Sequence, residues 1–358
     1  MMDANWRWLH GTGTDADCFS QFQEGISDCY LEGITREGYE GTYGVYPSGI
    51  LGIRLNLFTR GNVGSRLYVL KNEQEYQAFH LLGQEISFTV DVSSLPCGSN
   101  AAVYLVEMPV TKPSQDSSAG PGLGLGYCDA QCPRDLKFVN GRRNKHGDYG
   151  ACCAEIDLWE ANSRAAAFTA HACKKEGLFA CGGSSCSDIC DRAGCDVNAY
   201  RLGRTSFYGR GSSFQIDTSR SFRVVTQFHT NNGSNLANIT RFYLQDGKKI
   251  EEPAAISEES CAQRSRSFGQ EDVLPHFGGF KSLEGALRRG LVLVLSVWDD
   301  LSTHMQWLDG TFPASGGKGS SRGPCSLGES ETLRSVARGA HVVFTDFKYG
   351  SIGSSSVL

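Results

Sequence analysis

The chain has 358 residues, 40% of them hydrophobic and 20% charged, with a formal net charge of -5 at pH 7. That balance argues against nucleic acid or an anionic membrane surface as a partner, because both reward a basic face. No apolar run reaches the roughly 20 residues that a membrane-crossing helix needs.

The sequence opens Met1, Met2, Asp3, Ala4, Asn5, Trp6, with neither a basic n-region nor an apolar h-region, so no signal peptide is visible. Residues 87–92 alternate polar and apolar side chains, the period-two mark of a half-buried strand. Phe222, Val224, Thr226 and Phe228 line one face of another strand, with Arg223, Val225 and Gln227 on the other. Residues 241–250 predict a hairpin turning on Asp246 and Gly247. A short helix is expected over residues 282–289, stopped by Gly290. Residues 291–297 are continuously apolar, fitting a strand covered on both faces, and residues 342–348 supply a last strand. Strands joined by long irregular stretches, with little helix, predict an all-β fold, a β-sandwich with large loops. No Ser/Thr/Pro-rich linker, charge block or repeat divides the chain, so residues 1–358 are expected to form one domain.

Fourteen cysteines is an even and high count. Clustered cysteines can bind zinc, but no C-x-x-C pair occurs, and a disulfide framework of the secreted kind is the expectation. Sequons at Asn232 and Asn238 are compatible with secretion.

Three acids, Glu155, Asp157 and Glu160, crowd into six residues among Ile156, Leu158 and Trp159. On a helix they would project in separate directions. On a regular strand Glu155, Asp157 and Trp159 share one face, and Glu160 has the wrong parity. A β-bulge after Asp157 would return Glu160 to that face. Hydrolysis of a glycosidic bond needs two carboxyls across it, and retaining chemistry sets them about 5–5.5 Å apart. Asp157 would then lie between the two and share a hydrogen bond with Glu155. Crowding of like charges would raise the pKa of one member, as a general acid requires. By spacing alone, the same run also fits a solvated acidic strand edge.

The surrounding words go further. Residues 150–163 (GACCAEIDLWEANS) closely resemble the catalytic segment of glycoside hydrolase family 7, the cellobiohydrolases and endoglucanases. The resemblance extends over nearly the whole chain, through NWRW at 5–8, LPCG at 95–98, GYCDAQCPRDLKF at 126–138, YRLG at 200–203, SFYG at 206–209 and SVWDD at 296–300. It implies a concanavalin A-like sandwich of two curved antiparallel sheets with a long substrate groove. By motif, Glu155 matches the nucleophile, Asp157 its assisting acid, Glu160 the general acid/base, and His171 a histidine beside the acid/base. Tyr127, Asp129 and Gln131 match residues lining the central subsites. Trp6 and Trp8 match sugar platforms towards the far glycone end, Trp298 one near the centre and Trp307 one on the leaving-group side. Arg66, Tyr104, Arg201 and Arg322 match further groove residues, the last two arginines near the product side. Trp159 is assigned to packing.

The resemblance also implies seven disulfides: Cys18–Cys29, Cys97–Cys325, Cys128–Cys153, Cys132–Cys152, Cys173–Cys190, Cys181–Cys186 and Cys195–Cys261. Tyr30 stands where the family often has a second cysteine bonded to an N-terminal segment, which is expected to be missing here. The loops carrying residues 140–152 and 186–190 are short where tunnel-forming relatives have insertions, whereas the loop over 311–325 is nearly full length. Ala193 replaces a common acid. A cellobiohydrolase-like cleft, more open than a tunnel, is therefore expected, with endoglucanase action the alternative. A silent glucan-binding lectin is a third reading, opposed by the intact acids and His171. The expected partner is a β-1,4-glucan chain, bound by a secreted monomer. No metal or organic cofactor is implied, since carboxyls suffice for the chemistry.

Overall fold

The computed structural model describes residues 1–7, 9–11, 14–17, 29–32, 34–112, 120–140, 142–144 and 146–355. The β-forming runs give two seven-stranded antiparallel sheets. In chain order their strands are β1 (Val45–Ser48), β2 (Gly52–Asn56), β3 (Ser65–Tyr68), β4 (Ala78–Phe79), β5 (Gln84–Asp91), β6 (Ser99–Val106) and β7 (Glu155–Ala161). They continue with β8 (Ala166–His171), β9 (Cys195–Asn198), β10 (Phe222–Asn231), β11 (Asn235–Gln245), β12 (Lys248–Glu251), β13 (Leu291–Asp299) and β14 (His341–Ser351). The first sheet runs β4-β13-β6-β7-β8-β9, with β3 also paired to β13; the second runs β12-β11-β10-β5-β14-β2-β1.

The core lies between the sheets. Ile86, Phe88 and Val90 of β5 meet Phe222, Val224 and Phe228 of β10 there, as their alternation requires. Trp159 is fully buried at the centre, edge-on to Phe88, Phe222 and Phe344 at ring separations of 6.2, 6.3 and 6.3 Å. The continuous apolar run of β13 has a physical reason. Leu291, Leu293, Leu295 and Val297 enter this core, while Val292 and Val294 enter a second cluster on the other face with Tyr68, Tyr76, Tyr104 and Tyr127.

The β11–β12 hairpin turns on Asp246 and Gly247, with φ of 53° and 72°. Positive φ at both central residues is what the two-residue turn demands. Among the described residues the two longest helices, of 11 residues each, flank the sheets. The expected one spans Gly279–Arg289 and starts three residues earlier than the sequence suggested. In chain order, α1 (Glu258–Phe268) is capped by Ser257 and ended by Gly269, and α2 (Gly279–Arg289) is ended by Gly290. Helix α1 was not anticipated, although Ser257, two glutamates and Gly269 are ordinary boundary signals.

Among the described residues six disulfides join pairs anticipated above: Cys97–Cys325, Cys128–Cys153, Cys132–Cys152, Cys173–Cys190, Cys181–Cys186 and Cys195–Cys261. Cys195–Cys261 ties β9 to the helix of residues 258–268, and the other five bridges join segments outside the two large sheets. The anticipated Cys18–Cys29 pairing involves Cys18, which lies outside the described residues.

Candidate active site

The acids of β7 sit where its pairing slips. Asp157 faces Thr169 of β8 and Glu160 faces Ala167, so three steps along β7 match two along β8. This is the bulge expected after Asp157. Glu155, Asp157 and Glu160 all line one groove, while Leu158 and Trp159 both turn into the core. On the other flank of β7, β6 slips between Val103 and Tyr104. The register then lays side chains in rows across the sheet. Glu160 stands level with Ala102, Ser296 and Arg66 on one side and Ala167 on the other. Asp157 stands level with Tyr104 and with Thr169, which faces Asp196; Glu155 faces His171.

Each acid has a different set of partners. Glu155 Oε2 accepts the backbone N–H of Ala130 at 3.0 Å. Asp157 Oδ2 lies 2.9 Å from His171 Nε2, and the opposite ring nitrogen lies 2.7 Å from the Asp191 carbonyl. Glu160 Oε1 accepts from Asn100 Nδ2 at 2.9 Å. The hydrogen bond expected between Asp157 and Glu155 is replaced by the one to His171, which faces Glu155 across the ladder and whose charge also acts on Glu160. The reason is register: β8 delivers His171 opposite the first acid.

Electrostatics follow from the crowding of acids with little exposure to solvent. Burial, then the charge of Asp157, pushes Glu160 up to about 8. Burial, then Asp157 and Asp129, also holds Glu155 well above the ordinary glutamate range. Burial opposes the charged form of His171, but the hydrogen bond and charge of Asp157, with Glu155 and the Asp191 carbonyl, outweigh it and raise the imidazole to about 10. A chain of hydroxyls continues along the floor. Tyr104 and Tyr127 hydroxyls are 3.0 Å apart, and Tyr127 donates to Asp129 at 2.7 Å. Asp129 in turn accepts the Gln131 N–H at 2.8 Å.

The groove holds a cavity of about 680 Å³. On its β3 side Arg66 lies over Tyr127 and Trp6, 3.4 and 5.1 Å from the ring centroids, and bonds Asp3 at 2.7 Å. On its β9 side Arg322 bonds Asp196 at 3.1 Å. Trp298 and Trp307 form an adjacent pair, 6.2 Å between centroids and tilted by 31°. Of the residues singled out from the sequence, Trp6, Arg66, Tyr104, Tyr127, Asp129, Gln131, Trp298, Trp307 and Arg322 line the groove with the acids and His171. Trp8 lies outside the described residues.

Arg201 is placed differently. It is buried behind the wall, bonded to Asp196, to the Gly319 carbonyl at 2.8 Å and to Gln270 at 2.9 Å, with its guanidinium over Phe268. It is not among the groove-lining residues, so it braces Asp196, which is. Sequence reasoning also missed Arg192, Asp196, Phe312 and the Asp299–Arg334 pair, all of which line the groove. Ala130 and Asn100, which bond the two glutamates, were missed as well; Ala130 lies inside the quoted word at 126–138, but nothing in an alanine or asparagine marks such a contact.

Donor atoms of Glu155, Asp157 and His171 lie within 4.8 Å of one another, a spacing that an ion could bridge. The direct Asp157–His171 bond uses two of those atoms for each other.

A buried and a partly exposed glutamate brought to one face by a bulge, in a groove walled by aromatic rings, define the chemistry of a glycoside hydrolase. The sequence profile of glycosyl hydrolase family 7 matches residues 1–356, and the chain belongs to that family. Similar solved structures agree. A family 7 cellobiohydrolase from Daphnia pulex shares 35% identity, with a TM-score of 0.94 over 100% of this chain and 93% of its own. The cellobiohydrolase of Melanocarpus albomyces complexed with cellotetraose shares 37%, with a TM-score of 0.90 over 99% and 92%. The Humicola insolens endocellulase EGI shares 36%, with a TM-score of 0.86 over 99% and 92%. The chain is thus a glycosidase with the family's β-sandwich.

Proposed function

We propose that this enzyme hydrolyses β-1,4-glucosidic bonds of cellulose-type chains with retention of configuration. In this reading Glu155 attacks the anomeric carbon, Glu160 protonates the leaving oxygen and later activates water, and Asp157 and His171 assist. The observation that carries it is the bulge in β7, which gives Glu155 and Glu160 one face but unlike surroundings. Burial and the neighbouring acids raise both glutamates; on Glu155 the charge of His171 and the Ala130 N–H oppose this and favour the ionised form, while Glu160 stays protonated to about 8. Aromatic rings at Trp6, Trp298 and Trp307 suit the flat apolar faces of β-glucose, and the Melanocarpus relative carries cellotetraose.

The action is cellobiohydrolase-like with a partly open cleft, a reading supported by the higher TM-score with the Daphnia enzyme than with the Humicola endocellulase. Endoglucanase action is the second reading, favoured by the short loops over residues 140–152 and 186–190. The six disulfides support an extracellular location, and we take the working form to be a monomer that binds glucan chains.

The test has two arms. An activated 2-deoxy-2-fluoro cellobioside should label Glu155, and the first-formed sugar should be the β-anomer by NMR. Release of the α-anomer would overturn retention. Mostly cellobiose from amorphous cellulose with slow viscosity loss supports the exo reading, whereas rapid viscosity loss overturns it.

A further inference from the structure

The bulge that aligns the acids leaves Leu158 without a register partner on either neighbouring strand, and one side chain from the opposite sheet reaches its carbonyl. Arg241, on β11, is almost fully buried. Its Nη1 donates to the carbonyl of Leu158, inside the bulge, at 3.2 Å and to the carbonyl of Ala167, on the facing strand β8, at 3.0 Å. Ala167 is the residue that Glu160 faces. One guanidinium therefore ties both sides of the slip together from beneath. Its own place is fixed as well. Nε and Nη2 donate to Glu252 Oε2 at 2.9 and 2.6 Å, and the group lies over Phe168 and Tyr243, 4.5 and 5.2 Å from their centroids.

The physical logic is specific. Bulged strands carry an unpaired residue, and a buried carbonyl without a donor is costly. A planar fork can serve two carbonyls and a carboxylate at once, which an ammonium on a flexible stem does less well. Without such a donor β7 gains by restoring regular alternation, and regular alternation turns Glu160 away from the groove.

We propose that Arg241, held by Glu252, is a positioning residue that sets the side of β7 on which Glu160 emerges. It touches no substrate and acts only through the bulge. This rests on the reading of Glu160 as the general acid.

The experiment uses aryl cellobiosides with good and poor leaving groups, since only the poor ones need protonation. Glu160→Gln sets the reference signature. The test variants are Arg241→Lys, which keeps the charge but loses the fork, and Arg241→Met with Glu252→Met, which removes both charges together so that neither is stranded. Folding is checked by near-UV circular dichroism, and the active fraction by titration with the fluorinated inhibitor.

Per active site, each variant should lose about tenfold or more in kcat/KM on the poor leaving group, part of the range that general acids supply. It should lose under about threefold in kcat/KM on the good one, because kcat/KM reports formation of the glycosyl-enzyme and not the later activation of water by Glu160. The basic limb of the pH profile should move as well. Equal losses on both substrates, or none, in a variant that folds would overturn the proposal. Should Glu160→Gln itself show no leaving-group signature, the assignment of the acid falls and the proposal with it. A signature in Glu160→Gln but not in the Arg241 variants overturns the proposal alone.

Discussion

His171 Nε2 lies 2.9 Å from Asp157 Oδ2, and that contact decides the charge of the imidazole. Asp157 raises His171 to about 10, so a cation sits beside Glu155 throughout the neutral range. The sign for stability follows from linkage. A histidine raised above its ordinary 6.5 contributes stability that is fully present below about 6.5 and lost as pH rises through about 10. Asp157→Asn should remove much of this dependence, read as a flatter curve of Tm against pH between 6.5 and 10. An unchanged slope would show that the pair does not carry it.

Glu160 gives the opposite kind of group but the same slope. Its folded value of about 8 exceeds the ordinary 4.5, so between these limits the folded chain keeps a proton that the unfolded chain has released. Stability should fall as pH rises from about 4.5 to 8, and Glu160→Gln should flatten that window in a pH series of thermal melts.

The same value sets the basic limb of activity. kcat/KM should decline near pH 8 as Glu160 loses its proton. With a poor leaving group Glu160→Gln should cost about 10²–10⁴-fold in kcat. A basic limb that stays in place when a group other than Glu160 is left to titrate would refute this assignment.

Trp307 and Arg201 should separate binding from bracing. Trp307 lines the groove, and losing one aromatic contact of ~1–1.5 kcal/mol in Trp307→Ala should raise KM for cello-oligosaccharides about tenfold. Arg201 is buried against Asp196 and Phe268, so Arg201→Ala should lower Tm more than it changes KM. A KM effect at Arg201 as large as that at Trp307 would place its guanidinium on the substrate after all.

Trp159 should behave as a core residue despite its place between two acids. Trp159→Ala empties the meeting point of Phe88, Phe222 and Phe344 and should cost ~3–5 kcal/mol in denaturant unfolding. Trp159→Phe should recover most of that, with KM unchanged.

Much of the local structure was legible because it depends on near neighbours. Alternation marked β5 and β10, Asp246 and Gly247 marked a turn, and Gly290 marked the end of α2. The parity of Glu160 was legible too, since counting by twos along residues 155–160 shows that a bulge is needed if the acids are to act together. Helix α1 had signals that were passed over.

What the sequence by itself determined is which residues carry acid, ring and thiol, and that the acids of β7 could share a face only through an irregularity. What only the tertiary structure decided is who holds them there. Asp157 bonds His171 instead of Glu155, Arg201 stands behind the groove, and Arg241 reaches the bulge from the other sheet. These contacts join residues far apart in the chain. Periodicity reports only the face that a side chain leaves from, whereas register and sheet packing fix the atom it meets.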